Sequence, residues 1–292
     1  MRTPIRLVAL ATVVSLAAAC GGGSSSNGTA GGTLRVSGST TVGPVAADAA
    51  TALRAEQNLT ITIDTQGGSA GGITQLGMGQ IDVGLSSKPI ADTDKAQFPE
   101  VDFVATQIGE DAVGIVVRKE VIEGGLTSIT HDQLRDLFEG KVTNWKQIGG
   151  PDLKTFVYDK EPGRGTREVL DKYLYGKGVK APAPPTDNPA YAIVGGNQET
   201  RTKLLSTEGS VAPLSSAFAD GQPTLGVLAV GGVLPTAATI IDKTYPMSRP
   251  LYVLTDGQPT GNAKVFVDYL LSDEGQKLVT KNGYLTNAQL KA

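Results

Sequence analysis

The chain has 292 residues, 40% of them hydrophobic and 19% charged, which suffices for two domain cores and excludes a disordered polar tail protein. Twenty-six basic against 29 acidic residues give a net charge of −3, so no basic excess exists to neutralise a nucleic-acid backbone. One Cys and one His exclude disulfide frameworks, four-ligand zinc sites of Cys and His, and any site needing several imidazoles.

Arg2 and Arg6 open the chain, and Leu7 to Ala19 follow as an apolar run of 13 residues. That is too short to span a bilayer comfortably but suits the core of a signal peptide. Ala17, Ala18 and Ala19 lead directly to Cys20, the only Cys. The stretch resembles a bacterial lipoprotein signal, although Ala17 stands where that pattern usually has Leu. The resemblance implies cleavage after residues 1–19, diacylglycerol on the Cys20 thiol, and a Gly/Ser tether over residues 20–32. Without residues 1–19 the chain carries 24 basic and 29 acidic residues, net −5. A two-chain lipid anchor would hold it stably on the membrane, outside the cytoplasm.

The body then alternates strands and helices. Leu34–Ser37 reads as a strand. Pro44 suits a first helical turn, with Val45, Ala46, Ala49, Ala50 and Leu53 forming an apolar stripe. Residues 60–65 alternate as a strand, and QGGSAGGITQLGMG turns into a short helix. Ile81, Val83 and Leu85 alternate again. Val113–Val117 reads as a buried strand. Thr130 and Gln133 are spaced as a capping box before Leu134, Leu137 and Phe138. Residues 156–158 read as a strand, 165–175 as a helix, and 182–189 as a Pro-rich surface loop. Strands follow at 225–230 and 250–254, then two helices, the second capped by Ser272 and ended by Gly283. Such alternation predicts an α/β architecture with largely parallel sheets.

Three strand–turn–helix junctions share one chemistry. Their turns are Ser37 to Thr41, Gly67 to Gly72 and Gly163 to Arg167, and Ser86-Ser87-Lys88 ends a fourth strand. Gly lets the backbone approach a ligand, a helix N-terminus presents unpaired N–H groups, and hydroxyls add donors. Together these make an anion site that needs no net positive charge. Singly, each junction reads first as an ordinary helix cap, and it is the three together that point to an anion.

SGSTTV (37–42), GGSAGGI (67–73), IDVGLSSKPI (81–90), VTNWKQIGG (142–150), GRGTRE (163–168), YPMSRPLYVLT (245–255) and LLSDEGQKLV (270–279) stand in the order seen in one family. Over about residues 33–285 the chain resembles the phosphate-binding proteins of ABC importers, the PstS-like group. The resemblance implies a type II periplasmic-binding fold, with two α/β lobes joined by two crossing segments and a ligand cleft between them. Lobe 1 would be residues 33–110 plus 246–292, and lobe 2 residues 111–245. It implies a monomeric extracytoplasmic protein that captures inorganic phosphate for ABC permease subunits, with no cofactor, metal or covalent chemistry. Motif by motif, lobe 1 would offer Ser39, Thr40, Thr41, Ser69, the Ala70 amide, Ser86 and Ser87, and lobe 2 Arg164, Gly165 and Thr166.

Two departures bear on selectivity. The third motif, Ser86-Ser87-Lys88-Pro89, lacks the Asp often found there, and Arg164 replaces the Ser of a usual Gly-Ser-Gly-Thr run. A carboxylate acceptor would read the proton of phosphate and repel sulfate. Asp111 and Asp159 are the candidates for that acceptor. Arg164 would offer a guanidinium fork to the anion, or pair with Glu161 or Glu168.

Other readings stay open. The same cleft serves sulfate, tungstate or an anion-sensing lipoprotein. Gly67-Gly68-Ser69-Ala70-Gly71 also fits the G-x-S-x-G elbow of a serine hydrolase, but the only imidazole, His131, reads better as a helix start beside Asp132. Trp145 reads as a core anchor, Tyr245 and Tyr252 as hinge packing, and Arg249 as a residue pairing across the hinge.

Overall fold

The computed structural model describes residues 31–291; the expected signal, Cys20 and most of the tether lie outside the described residues. Gly32, the last tether residue, is already in a strand and pairs with Leu59.

The first part of the chain runs β1 (Gly32–Gly38), α1 (Gly43–Gln57), β2 (Leu59–Asp64), α2 (Gly68–Gly77), β3 (Val83–Ser86) and α3 (Asp92–Gln97). Helix α1 carries Pro44 in its first turn and buries Val45, Ala46, Ala49 and Leu53 of the expected stripe, with Ala50 only partly buried. Asn58 ends it in the left-handed region at φ 54°. Strand β4 (Phe103–Arg118) then crosses to the second part.

There the order is α4 (Lys119–Glu123), β5 (Ser128–Ile129), α5 (His131–Phe138), β6 (Phe156–Lys160), α6 (Gly165–Tyr175), β7 (Tyr191–Val194) and α7 (Asn197–Ser206). Next come β8 (Ser210–Ser215), α8 (Ser216–Ala219), β9 (Leu225–Val230) and α9 (Ala237–Ile241). Strand β10 (Ser248–Asp256) returns, and α10 (Gly261–Leu271) and α11 (Asp273–Lys281) finish on the first part.

The strands join in the order β2-β1-β3-β10-β4-β8-β6-β7, with β9 on β4 and β5 on β9. Pairings β1–β2, β1–β3, β6–β7, β6–β8 and β5–β9 are parallel. Every pairing of β4 or β10 is antiparallel. The expected largely parallel sheet is therefore corrected: the two crossing strands run against their neighbours and against each other. Their register sets Arg249 opposite Asp111.

Two large apolar cores flank these crossings. One gathers residues from Leu34 to Ile108 and from Leu251 to Tyr284. The other gathers residues from Ala112 to Met247, with Leu285 added. Trp145 is fully buried in the second core, its indole N–H donating to the Gly209 carbonyl at 2.8 Å. Tyr245 is buried too and donates to the Val113 carbonyl at 2.7 Å, on the outgoing crossing.

Candidate functional site

Between the two cores lies a small cavity lined by Ser39, Thr40, Thr41, Gly68, Ser69, Ser87, Lys160, Arg164, Gly165, Thr166, Gly195 and Asn197. The free space is about 10 Å³, close to what one water molecule requires. Ser39 to Thr41 precede α1, Gly68 and Ser69 open α2, Gly165 and Thr166 open α6, and Asn197 opens α7. The N-cap residues of these four helices make no side-chain cap, although Thr40 Oγ1 accepts from the first amide of α7 at 3.4 Å, whereas Thr130, Thr236 and Ser272 cap α5, α9 and α11. An uncapped first turn leaves N–H groups without an intrahelical partner.

The cavity hydroxyls hydrogen-bond one another across short distances. Ser39 Oγ donates to Ser87 Oγ at 3.0 Å, and Ser69 Oγ accepts from the Ser87 amide at 3.1 Å. Asn197 Nδ2 donates to Thr41 Oγ1 at 2.9 Å, tying α7 to the turn before α1. At Gly165 the halves leave no space for a side chain. A Cβ there would lie 2.5 Å from Ser87 Oγ and 2.9 Å from Ser69 Oγ.

Eight of the ten residues expected at the anion are brought together: Ser39, Thr40, Thr41, Ser69, Ser87, Arg164, Gly165 and Thr166. Ala70 and Ser86 are not. The Ala70 amide donates to the Gly163 carbonyl at 3.1 Å, and Ser86 Oγ donates to the Lys88 carbonyl at 2.7 Å. Arg164 lines the rim with its guanidinium paired to Glu161 at 2.6 Å, and it donates to the Thr65 carbonyl at 3.2 Å.

Neither expected proton acceptor faces the cavity. Asp111 is buried against Arg249, with Nη2 at 2.8 Å, and accepts from Ser215 Oγ at 2.9 Å. Burial pushes its carboxyl up, and the Arg249 charge pulls it back. Asp159 turns away for a simple reason: successive side chains on a strand point to opposite faces. Lys160 takes the cavity face, so Asp159 meets Arg167 and Tyr191 on the other. Burial raises the Asp159 carboxyl, against the pull of Arg167. The cavity lining contains no carboxylate.

Lys160 is a site residue the sequence reading missed. It is 1% exposed, and its ammonium donates to the Gly195 and Gly196 carbonyls and to Thr200 Oγ1. Among the described residues no carboxylate forms a salt bridge with it. Burial first, then the nearby charges of Arg249 and Arg164, lower its pKa from 10.5 to about 7. A lysine ending a buried strand, just before a Gly-containing turn, was the available signal. Asn197 was missed with it, although Gly195-Gly196-Asn197 after Tyr191–Val194 repeats the strand–turn–helix pattern.

Strands, uncapped helix starts and two crossings thus converge on one cavity, as in a two-lobed binding protein. The family description "PBP superfamily domain" matches residues 23–274. The chain belongs to this superfamily. Its fold is the type II periplasmic-binding α/β fold expected from the motifs. It is similar to the phosphate-binding protein PstS of Bacillus subtilis, 29% identical over 301 residues, spanning 98% of this chain and 95% of that one. It is also similar to PstS of Borreliella burgdorferi, 26% identical with 86% and 89% covered. Among solved structures, a putative phosphate ABC transporter substrate-binding protein from Clostridium perfringens, with bound phosphate, superposes at a TM-score of 0.76. That match is 27% identical and covers 87% of this chain and 99% of the other. An ABC-type phosphate transport receptor from Vibrio cholerae superposes at 0.68, at 25% identity, with 87% and 99% covered.

The hydrolase reading does not find the imidazole at Ser69: Ser69 Oγ contacts Ser87, while the His131 ring contacts Asp132 and the Tyr173 carbonyl.

Proposed function

We propose that the chain is an extracytoplasmic solute-binding lipoprotein that captures inorganic phosphate between its lobes and delivers it to an ABC permease. The observation that carries this reading is the cavity itself. Six hydroxyl side chains, uncapped helix starts and one unpaired buried ammonium line it, and no carboxylate does. Such a lining has donors in excess and one charge without a partner, which is the complement of a small oxyanion. Relatives named as phosphate-binding proteins support the choice of anion.

On this reading Ser39, Thr40, Thr41, Ser69, Ser87 and Thr166 donate hydroxyls, Gly165 admits close approach of backbone to ligand, and Lys160 supplies charge. Binding exchanges the hydroxyl–hydroxyl contacts of the cavity for contacts to the anion, and no covalent chemistry follows. Lobe 1 comprises residues 33–110 plus 246–292 and lobe 2 residues 111–245. Support comes from the division between the two cores, which falls between Ile108 and Ala112 and between Met247 and Leu251. The protein acts as a monomer tethered through Cys20.

Competition calorimetry with phosphate, sulfate, arsenate and tungstate tests the ligand. Phosphate binding in the micromolar range or tighter supports the reading, and indifference to all four ions overturns it. Thr166→Ala is expected to weaken binding by about 1–3 kcal/mol, the cost of one hydrogen bond to a charged group. Deleting the gene tests delivery by loss of phosphate uptake, and Cys20→Ala tests the anchor by release of protein into the medium.

A further inference from the structure

Arg249 is the most heavily engaged side chain near the cavity, yet it is not among the cavity-lining residues. It is 1% exposed and stands on β10, opposite Asp111 on β4. Nε and Nη2 donate to Asp111 Oδ2 at 3.0 and 2.8 Å. Nη2 also donates to Thr41 Oγ1 at 3.0 Å, and Nη1 donates to Thr166 Oγ1 at 2.8 Å. A longer contact of 3.4 Å runs from Nη1 to Ser87 Oγ. A guanidinium has five N–H groups, and these contacts account for all of them.

A hydroxyl carries one hydrogen and two lone pairs. Thr41 Oγ1 accepts from Arg249 Nη2 and from Asn197 Nδ2, so both lone pairs are taken and its hydrogen alone is free. Thr166 Oγ1 gives one lone pair to Arg249 Nη1, which leaves its hydrogen and the other lone pair on the side away from the guanidinium. Thr41 lies before α1 and Thr166 in the first turn of α6, so the two hydroxyls come from opposite sides of the cavity. The one guanidinium that meets both is fixed in a planar fork by Asp111, on the neighbouring crossing strand.

We propose that Arg249, held by Asp111, is a positioning residue that orients two hydroxyls toward the anion, one from each lobe: Thr41 as an obligate donor, and Thr166 biased toward donation because one of its lone pairs faces the guanidinium. Arg249 acts through these hydroxyls. Because it sits on the crossings, it meets both only when the lobes are together. This rests on the anion-binding reading given above, and the experiment separates the two.

The test is a mutant cycle read by phosphate calorimetry on the full chain, with thermal unfolding as the check on folding. Thr166→Val is made in the wild type and in Arg249→Met/Asp111→Leu, which replaces both members of a buried ion pair by apolar groups, a change folds often tolerate. Thr166→Val is expected to weaken binding about thirtyfold in the wild type and less than about threefold in the double variant, since a hydroxyl left free to rotate no longer favours donation. Equal losses in both backgrounds overturn the proposal, because a merely structural ion pair would leave the worth of the threonine untouched. Should the double variant not fold, Arg249→Lys serves as the background; it keeps the charge but not the fork, and the same reduced loss is expected. A wild type that binds no tetrahedral anion overturns both readings, whereas tight wild-type binding with equal losses overturns this one alone.

Discussion

Gly165 and Lys160 define what single residues contribute to the cavity. Gly165 opens α6 with no room for a methyl group, since Ser87 Oγ would lie 2.5 Å from its Cβ. Overpacking of this kind costs about 1–3 kcal/mol. On the proposed capture between two lobes, opening separates Gly165 from Ser87 and the cost falls on the closed form alone. Gly165→Ala is therefore expected to weaken phosphate binding by ~10–100-fold while the melting temperature of the anion-free protein holds. A large drop in that temperature would place the strain in the fold instead. Lys160 works in the opposite sense. Its pKa in the fold, about 7, lies below the 10.5 of an unburied lysine. Between those values the unfolded chain binds the additional proton, so stability of the anion-free protein rises with pH across that window and is flat below it. Lys160→Met should raise the melting temperature of the anion-free protein, most clearly near pH 6, and abolish phosphate binding. For affinity the sign reverses, since the anion favours the charged ammonium. Affinity should fall with rising pH above about 7, by up to roughly tenfold per unit, relative to Lys160→Arg, whose charge does not titrate. A constant ratio of the two affinities over that range would contradict a charge role for Lys160.

At the level of elements, helix starts divide by whether a side chain caps them. Thr130 accepts from the Gln133 amide at 3.2 Å, and Gln133 Oε1 returns the contact at 2.9 Å, a complete capping box at α5. Thr130→Ala should lower stability by about 1 kcal/mol and leave phosphate affinity unchanged. Asn197→Ala, at the uncapped start of α7, should do the reverse, weakening binding with little change in melting temperature. Both are checked by pairing unfolding curves with calorimetry. This contrast also explains what was legible beforehand. The helix over 165–175, the α5 capping box and the α1 stripe depend on neighbours a few residues apart, so local sequence carries them. Strand β4 was legible only over Val113–Val117, an unbroken apolar run, whereas Phe103–Ala112 is interrupted by Thr106, Gln107, Glu110 and Asp111. Asp159 was misplaced because strand alternation gives the cavity either Asp159 or Lys160, and nothing local says which face is the ligand's. The Arg249–Asp111 pair was half legible: a pairing across the hinge was expected for Arg249, but Asp111 was assigned to the ligand.

For the whole molecule, charge and selectivity follow from the same cavity. A net charge of −3 gives no long-range attraction for an anion. Capture depends on donors inside the cleft and on contacts that close it. Those include Lys88, which meets Glu168 of α6 at 2.9 Å, and the Asn197 amide, which meets Thr40 Oγ1 at 3.4 Å. A lining without carboxylate has a specific consequence. Phosphate near neutrality keeps a proton and sulfate does not, so rejecting sulfate requires an acceptor that pairs with that proton and repels an oxygen lacking one. Asp111 and Asp159 are spent on Arg249 and Arg167, and the side-chain acceptors left in the lining are neutral, the hydroxyls and the Asn197 amide oxygen. Phosphate should then be preferred over sulfate by less than about a hundredfold, since a neutral acceptor forgoes the repulsion between charges. Ser87→Asp supplies the missing group where Ser39 Oγ and Arg249 Nη1 already donate. It should cut sulfate affinity by at least ten times the factor it costs phosphate, as read by competition calorimetry. Equal losses for the two anions, or a wild-type preference of many thousandfold, would mean that the proton is read by a group outside this cavity.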